Sequence, residues 1–122
     1  MKNVILFVIT LVFMVGCNKD ENDPNTNTSE PISVYINSVT ASPTASESVT
    51  IKNNSGSSQD LSGWTIGDEN NPNAYNIPNG TTLNQGAMHT FNASTMGFQI
   101  NDSGETIYLK NASGGLVDTW YN

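Results

Sequence analysis

Glu105-Thr106-Ile107-Tyr108-Leu109-Lys110 alternates apolar and polar side chains with a period of two. In an extended chain Ile107 and Leu109 fall on one face, and Thr106, Tyr108 and Lys110 on the other. That pattern predicts a half-buried strand. Residues 48–52 repeat it, with Val49 and Ile51 inward and Ser48, Thr50 and Lys52 outward. Val34 and Ile36 begin an earlier strand whose apolar parity has shifted by Val39, which predicts a bulge. Trp64 and Ile66 share a face of a further strand, and Gly63 before them reads as a second bulge. Trp64 is assigned to the core. Shorter runs follow at 74–77, 88–92, 97–100 and 116–121.

Turn residues separate these runs: Asn54-Ser55-Gly56, Pro78-Asn79-Gly80, Asn84-Gln85-Gly86, Asp102-Ser103-Gly104 and Ser113-Gly114-Gly115. No segment repeats apolar residues at helical spacing over several turns. About seven or eight short strands at this spacing predict an all-β, antiparallel sandwich over residues 32–122. A chain of that size buries roughly two-thirds of its extended surface, enough for one core and not for two. No cysteine follows Cys17, so the sandwich must hold without a disulfide.

Upstream of the sandwich the chain changes character. Lys2 is followed by an apolar segment at 4–16, shorter than the roughly 20 residues a membrane-spanning helix needs. A charged start, an apolar centre and a small residue before a cut form the layout of a secretory signal, assigned to 1–16. Met14-Val15-Gly16-Cys17 resembles a bacterial lipobox, which implies that Cys17 is lipidated and becomes the first mature residue. Several acyl chains on one residue hold a protein stably at a membrane. The run Lys19-Asp20-Glu21 just after the cysteine resembles the export signal that sends Bacteroidetes lipoproteins to the outside of the outer membrane. Residues 18–31 are polar and hold no large apolar side chain, so they form, with Cys17, a flexible acidic linker over 17–31. Such a linker reaches about 20 Å, enough to lift a small domain off the headgroups.

Within the sandwich a second resemblance runs nearly from end to end. Asp60-Leu61-Ser62-Gly63-Trp64-Thr65-Ile66 resembles the "dLsGW.l" signature of the lamin tail domain. Residues 49–55 resemble that family's "wVEL.N.s" strand and turn, 75–83 its "y.fp.gt.l", Gln85-Gly86 its "pG", 104–109 its "gd.v.L", and Gly115-Leu116-Val117-Asp118 its closing "G.vvD". Ser48 and Thr50 depart from it, standing where an aromatic and an acid are usual. The resemblance implies an immunoglobulin-like β-sandwich with no catalytic residue of its own. It also implies a secreted or surface setting in bacteria, often beside enzymes.

Chemistry-bearing residues are sparse. His89 is the only histidine, with no second histidine or cysteine at ligand spacing, so it is not assigned a metal or base role. It falls in a run read as an edge or surface strand. No serine sits in a nucleophile-elbow pattern. No enzyme activity, cofactor or resident metal is therefore expected. The loop Gly67-Asp68-Glu69-Asn70-Asn71 clusters oxygen donors of the kind calcium prefers, and Asp68, Glu69 and Asn71 are the residues that would hold it. Asn-rich loops also arise for turn reasons alone.

The whole chain carries a net charge of −7 and its four cations are all lysines. In the sandwich only Lys52 and Lys110 oppose seven acids. Phosphate recognition draws its affinity from cations, so nucleic acid is not an expected partner. Among the aromatics, Trp120 falls opposite Val117, Thr119 and Tyr121. If Tyr121 faces inward, Trp120 is exposed and could form a platform with Tyr75 or Tyr108 for glycan or protein. The expected function is thus a lipid-anchored, non-enzymatic adhesion, scaffolding or interaction module on the outer membrane, surface-exposed if the run after Cys17 is an export signal and periplasm-facing if it is only a tether. The membrane is then one partner, and an extracellular protein or glycan the other. A glycan- or calcium-binding surface module is the second reading, and a hydrolase or hydrolase accessory the third.

Overall fold

The computed structural model describes residues 33–122, and within them the period-two runs become strands. Val34–Thr40 (β1), Ser48–Asn53 (β2), Gln59–Asp60 (β3), Thr65–Gly67 (β4) and Tyr75–Asn76 (β5) come first. Thr82–Leu83 (β6), Met88–Asn92 (β7), Thr106–Lys110 (β8) and Leu116–Tyr121 (β9) follow. A single 3-10 turn, Thr44–Ser46, precedes β2, and a one-turn helix, Ala93–Met96 (α1), follows β7. The signal segment at 1–16, Cys17 and the linker at 18–31 lie outside the described residues.

All pairings are antiparallel. One sheet has the order β1-β2-β7, the other β5-β4-β8-β9, and β3-β6 forms a two-stranded ribbon. The central strands β2, β4 and β8 supply the most deeply buried side chains: Val49, Ile51, Ile66, Ile107 and Leu109. A strand covered on both edges has only its faces left to expose, and the second sheet covers the inner one. Each such side chain contributes about 1.5–3 kcal/mol of burial free energy. Val34 and Ile36 of β1, with Leu61, Ile77, Leu83, Phe91, Met96 and Ile100 from the ribbon, the loops, β7 and α1, complete the core.

The predicted bulge in β1 is present, as a register shift between Ile36 and Ser38. Three sequence expectations change. Gly63 lies in a tight turn rather than a bulge: its φ is +75° and Trp64 N–H closes back on Leu61 O at 3.0 Å. Trp64 precedes β4 and is only half-buried, packing against the core from its margin. Residues 97–100 are not a strand. Gly97 ends α1 in the left-handed region (φ +78°), its N–H bonded to Ala93 O at 2.8 Å, and the chain then runs irregularly to the buried Ile100.

Candidate interaction surfaces

The inward faces of the central strands β2 and β8 end in buried polar residues, and each of these holds a loop. On β2 the parity of Val49 and Ile51 extends back to Glu47 and forward to Asn53, 4% and 0% exposed. On β8 the parity of Ile107 and Leu109 extends back to Glu105, also 4% exposed. Asn53 Nδ2 donates to Ser57 O and Leu83 O, both at 2.8 Å, and its Oδ1 accepts from Ser55 N–H at 2.9 Å and from the Ser55 hydroxyl. Glu105 Oε2 accepts from Asn101 N–H at 2.6 Å, and Asn122 joins the same loop by donating to Asn101 O at 2.8 Å. Glu47 Oε2 accepts from Ile100 N–H at 2.9 Å. Buried polar groups are costly unless bonded, and these satisfy loop backbone that would otherwise lie unpaired at the ends of the core.

The signature residues have structural jobs of the same kind. Asp60 Oδ1 accepts from the Ser62 hydroxyl and from Ser62 N–H. The Ser62 hydroxyl oxygen in turn accepts from Gly80 N–H at 2.8 Å. Leu61 between them is fully buried. The Ser62 hydroxyl first, and its N–H second, hold the exposed Asp60 carboxyl below its ordinary value of 3.8. The motif is a folding device that locks a corner, not a reactive constellation.

The proposed aromatic platform does not assemble. Cross-strand partners share a face, so the pairs Ile66↔Tyr75 and Ile107↔Trp120 put Tyr75 and Trp120 on the inner side of their sheet. Both are half-buried against the core, and Tyr75 meets Phe91 at 5.7 Å between ring centroids. Trp120 is inward and Tyr121 outward, the reverse of the arrangement that the platform required. The cause is a register shift between Leu109 and Lys110, which leaves Val117 packed on the core while the alternation after it inverts. Tyr108 lies on the outer face, opposite Thr119, with Tyr121 opposite Thr106 one pair along. Tyr121, 71% exposed, and Leu116, 60% exposed, stand beyond it on the same face. The solvent-facing side of this sheet therefore carries two of the three exposed large apolar residues, Tyr121 and Leu116, with the half-buried Tyr108 between them, while the third, Met88, lies on β7 of the other sheet. Only Tyr108 of the expected trio belongs to that side.

The oxygen-rich loop is closed on itself. Asp68 Oδ1 accepts from Asn70 N–H and Asn71 N–H, both at 2.8 Å, and Asn71 Oδ1 accepts from Asn73 N–H at 3.2 Å. Glu69 reaches away to the Thr106 hydroxyl at 2.7 Å. These bonds shape the turn and do not aim the three side chains at a common point. Among the described residues no three His, Cys, Asp or Glu side chains converge as metal ligands. His89 lies exposed on the edge strand β7, its ring 4.5 Å from that of Phe91.

A groove of about 410 Å³ opens at one end of the sandwich, between the 3-10 turn and α1. Thr44, Glu47, Ala93, Ser94, Gly97, Phe98 and Gln99 line it. Sequence reading missed it because the irregular stretch after α1 was taken for a strand. The available cue was parity: Glu47 falls two residues before Val49, on the inward face.

These features define an immunoglobulin-like antiparallel β-sandwich whose polar residues serve the fold and whose exposed surface is suited to contact. The lamin tail domain family model matches residues 27–122, and the chain belongs to that family. Members of this family are immunoglobulin-like domains that typically mediate protein interaction, and the fold is generally non-catalytic. No curated protein matches the chain.

Proposed function

We propose that the chain is a lipid-anchored, non-enzymatic interaction module displayed at the bacterial cell surface. The carrying observation is the outward sheet face with Tyr108, Tyr121 and Leu116. Tyr121 and Leu116 at the two ends of this face, with Tyr108 between them, provide apolar contact area with polar handles, the composition that recognition surfaces favour. The polar residues that could have suggested catalysis are instead engaged in holding loops. Cys17, after its apolar segment, supplies the anchor, and the acidic linker the reach. Together they support a domain presented outward, with its outer sheet face available for contact.

Fractionation of cells carrying the natural chain and Cys17→Ala tests the anchor. The natural chain is expected in the outer-membrane fraction with a lipid-modified mature N-terminus. Cys17→Ala is expected to lose both the modification and the membrane association. Membrane association and normal processing that survive the substitution contradict the proposal.

A further inference from the structure

The geometry points to the groove between the 3-10 turn and α1 as a receptor for a lysine side chain of a partner protein, with Glu47 as its counter-charge. Glu47 is 4% exposed, and its carboxylate receives one hydrogen bond, from Ile100 N–H to Oε2. No fully buried side-chain oxygen among the described residues lacks a partner. Its other oxygen, Oε1, accepts no bond and is therefore not fully buried, and Glu47 is one of the residues that line the groove. A largely desolvated carboxylate with one neutral donor is under-compensated, and a cation delivered to its free oxygen meets it at strengthened electrostatics. None of the described residues brings that cation. Lys52 and Lys110, the cations of the described residues, point outward from β2 and β8, and neither lines the groove.

The shape of the acceptor selects among cations. A guanidinium is best met by two oxygens in a fork, whereas one free oxygen suits a compact ammonium. An ammonium has three protons, and Thr44, Ser94 and Gln99, residues with neutral side-chain oxygens, line the same opening. Ala93 and Phe98 give apolar wall for the four methylenes of a lysine, which bury along such surface while the head stays polar. The negative domain charge favours the approach of a basic partner. This deepens the interaction reading by naming one group that a partner supplies. Its test runs in solution and depends on neither the anchor nor display.

The test is a titration of the full ¹⁵N-labelled chain, purified in nonionic detergent, with Nα-acetyl-lysine methylamide. The Nε-acetylated probe, which lacks the charge, is run beside it. Amides of Gly97, Phe98 and Ile100 are expected to shift saturably with the charged probe, and binding of the acetylated probe to be about tenfold weaker or more. Glu47→Gln keeps an oxygen for Ile100 N–H and removes the charge. It is expected to leave the remaining spectrum in place and to weaken lysine binding by a similar factor. Unmoved groove amides, equal binding of the acetylated probe, or undiminished binding by a folded Glu47→Gln chain would each overturn the assignment.

Discussion

Asn53 shows what single residues do in this molecule. Its side chain is wholly buried, yet all its polar atoms are used, two donors on Ser57 and Leu83 and one acceptor on Ser55. Asn53→Ala therefore strands loop groups on both sides, at about 1–3 kcal/mol for each group left unpaired. Chemical denaturation is expected to show a loss of at least that size. A variant within 0.5 kcal/mol of the natural chain, the range of an ordinary surface change, would refute this role. Asp60 makes a pH-dependent contribution to its own corner. Because its folded value lies below 3.8, the ionised form is favoured by folding. The contribution is whole above the unfolded value and is lost as pH falls through the folded one. Following the Asp60 carboxyl by NMR should give a midpoint below 3.8, moving upward in Ser62→Ala, whereas a midpoint at or above 3.8 in the natural chain would speak against it. Residues of this sort were half legible in sequence. Asp60 and Ser62 stood out as a signature, but nothing in their spacing distinguishes a corner lock from a site.

Among the elements, those with two or more alternating apolar residues were readable from sequence alone. β2 and β8 appear within a residue of their expected ends, because Val49, Ile51, Ile107 and Leu109 fix both period and face. The two-residue strands β3 and β6 were missed, since a pair of residues has no period. Helix α1 was missed for the same reason: one turn offers the single buried apolar residue Met96. β9 was found, but its faces were inverted, because the bulge lies between the apolar cue at Val117 and the residues it was used to orient. Gly67 ends β4 where an added Cβ would collide with the backbone of the following loop. A Cβ there would stand 2.1 Å from Asn71 O and 2.4 Å from the Pro72 carbonyl carbon. Backbone, not a movable side-chain tip, is in the way, so Gly67→Ala must displace the 68–73 loop. The expected destabilisation is about 1–3 kcal/mol, with the amides of 68–73 shifting most. An unchanged melting temperature would mean that the loop yields freely.

At the scale of the whole molecule the two sheets meet along β1 and β9. Both are edge strands, and exposed edges invite pairing with other chains. Here Asp118, on the inner side of β9, accepts the Ile36 N–H of β1 at 2.8 Å, just before the β1 bulge. An inward acid and a bulge together close a seam that could otherwise template a third strand. Asp118→Ala should weaken the fold by about 1–3 kcal/mol and raise self-association in sedimentation velocity. A variant as stable and as monomeric as the natural chain would remove that role. The seam bears on the proposed function, because a module displayed on a crowded surface would have to present a face without polymerising through its edges. That account joins a rigid sandwich to an anchor at Cys17, and its most direct test is protease shaving of intact cells with mass spectrometry of the mature N-terminus. The account predicts that fragments of 33–122 are released from intact cells while a lipid-modified Cys17 peptide stays with the membrane. A domain that resists protease until the cells are broken, on a chain whose Cys17 is unmodified, would contradict it.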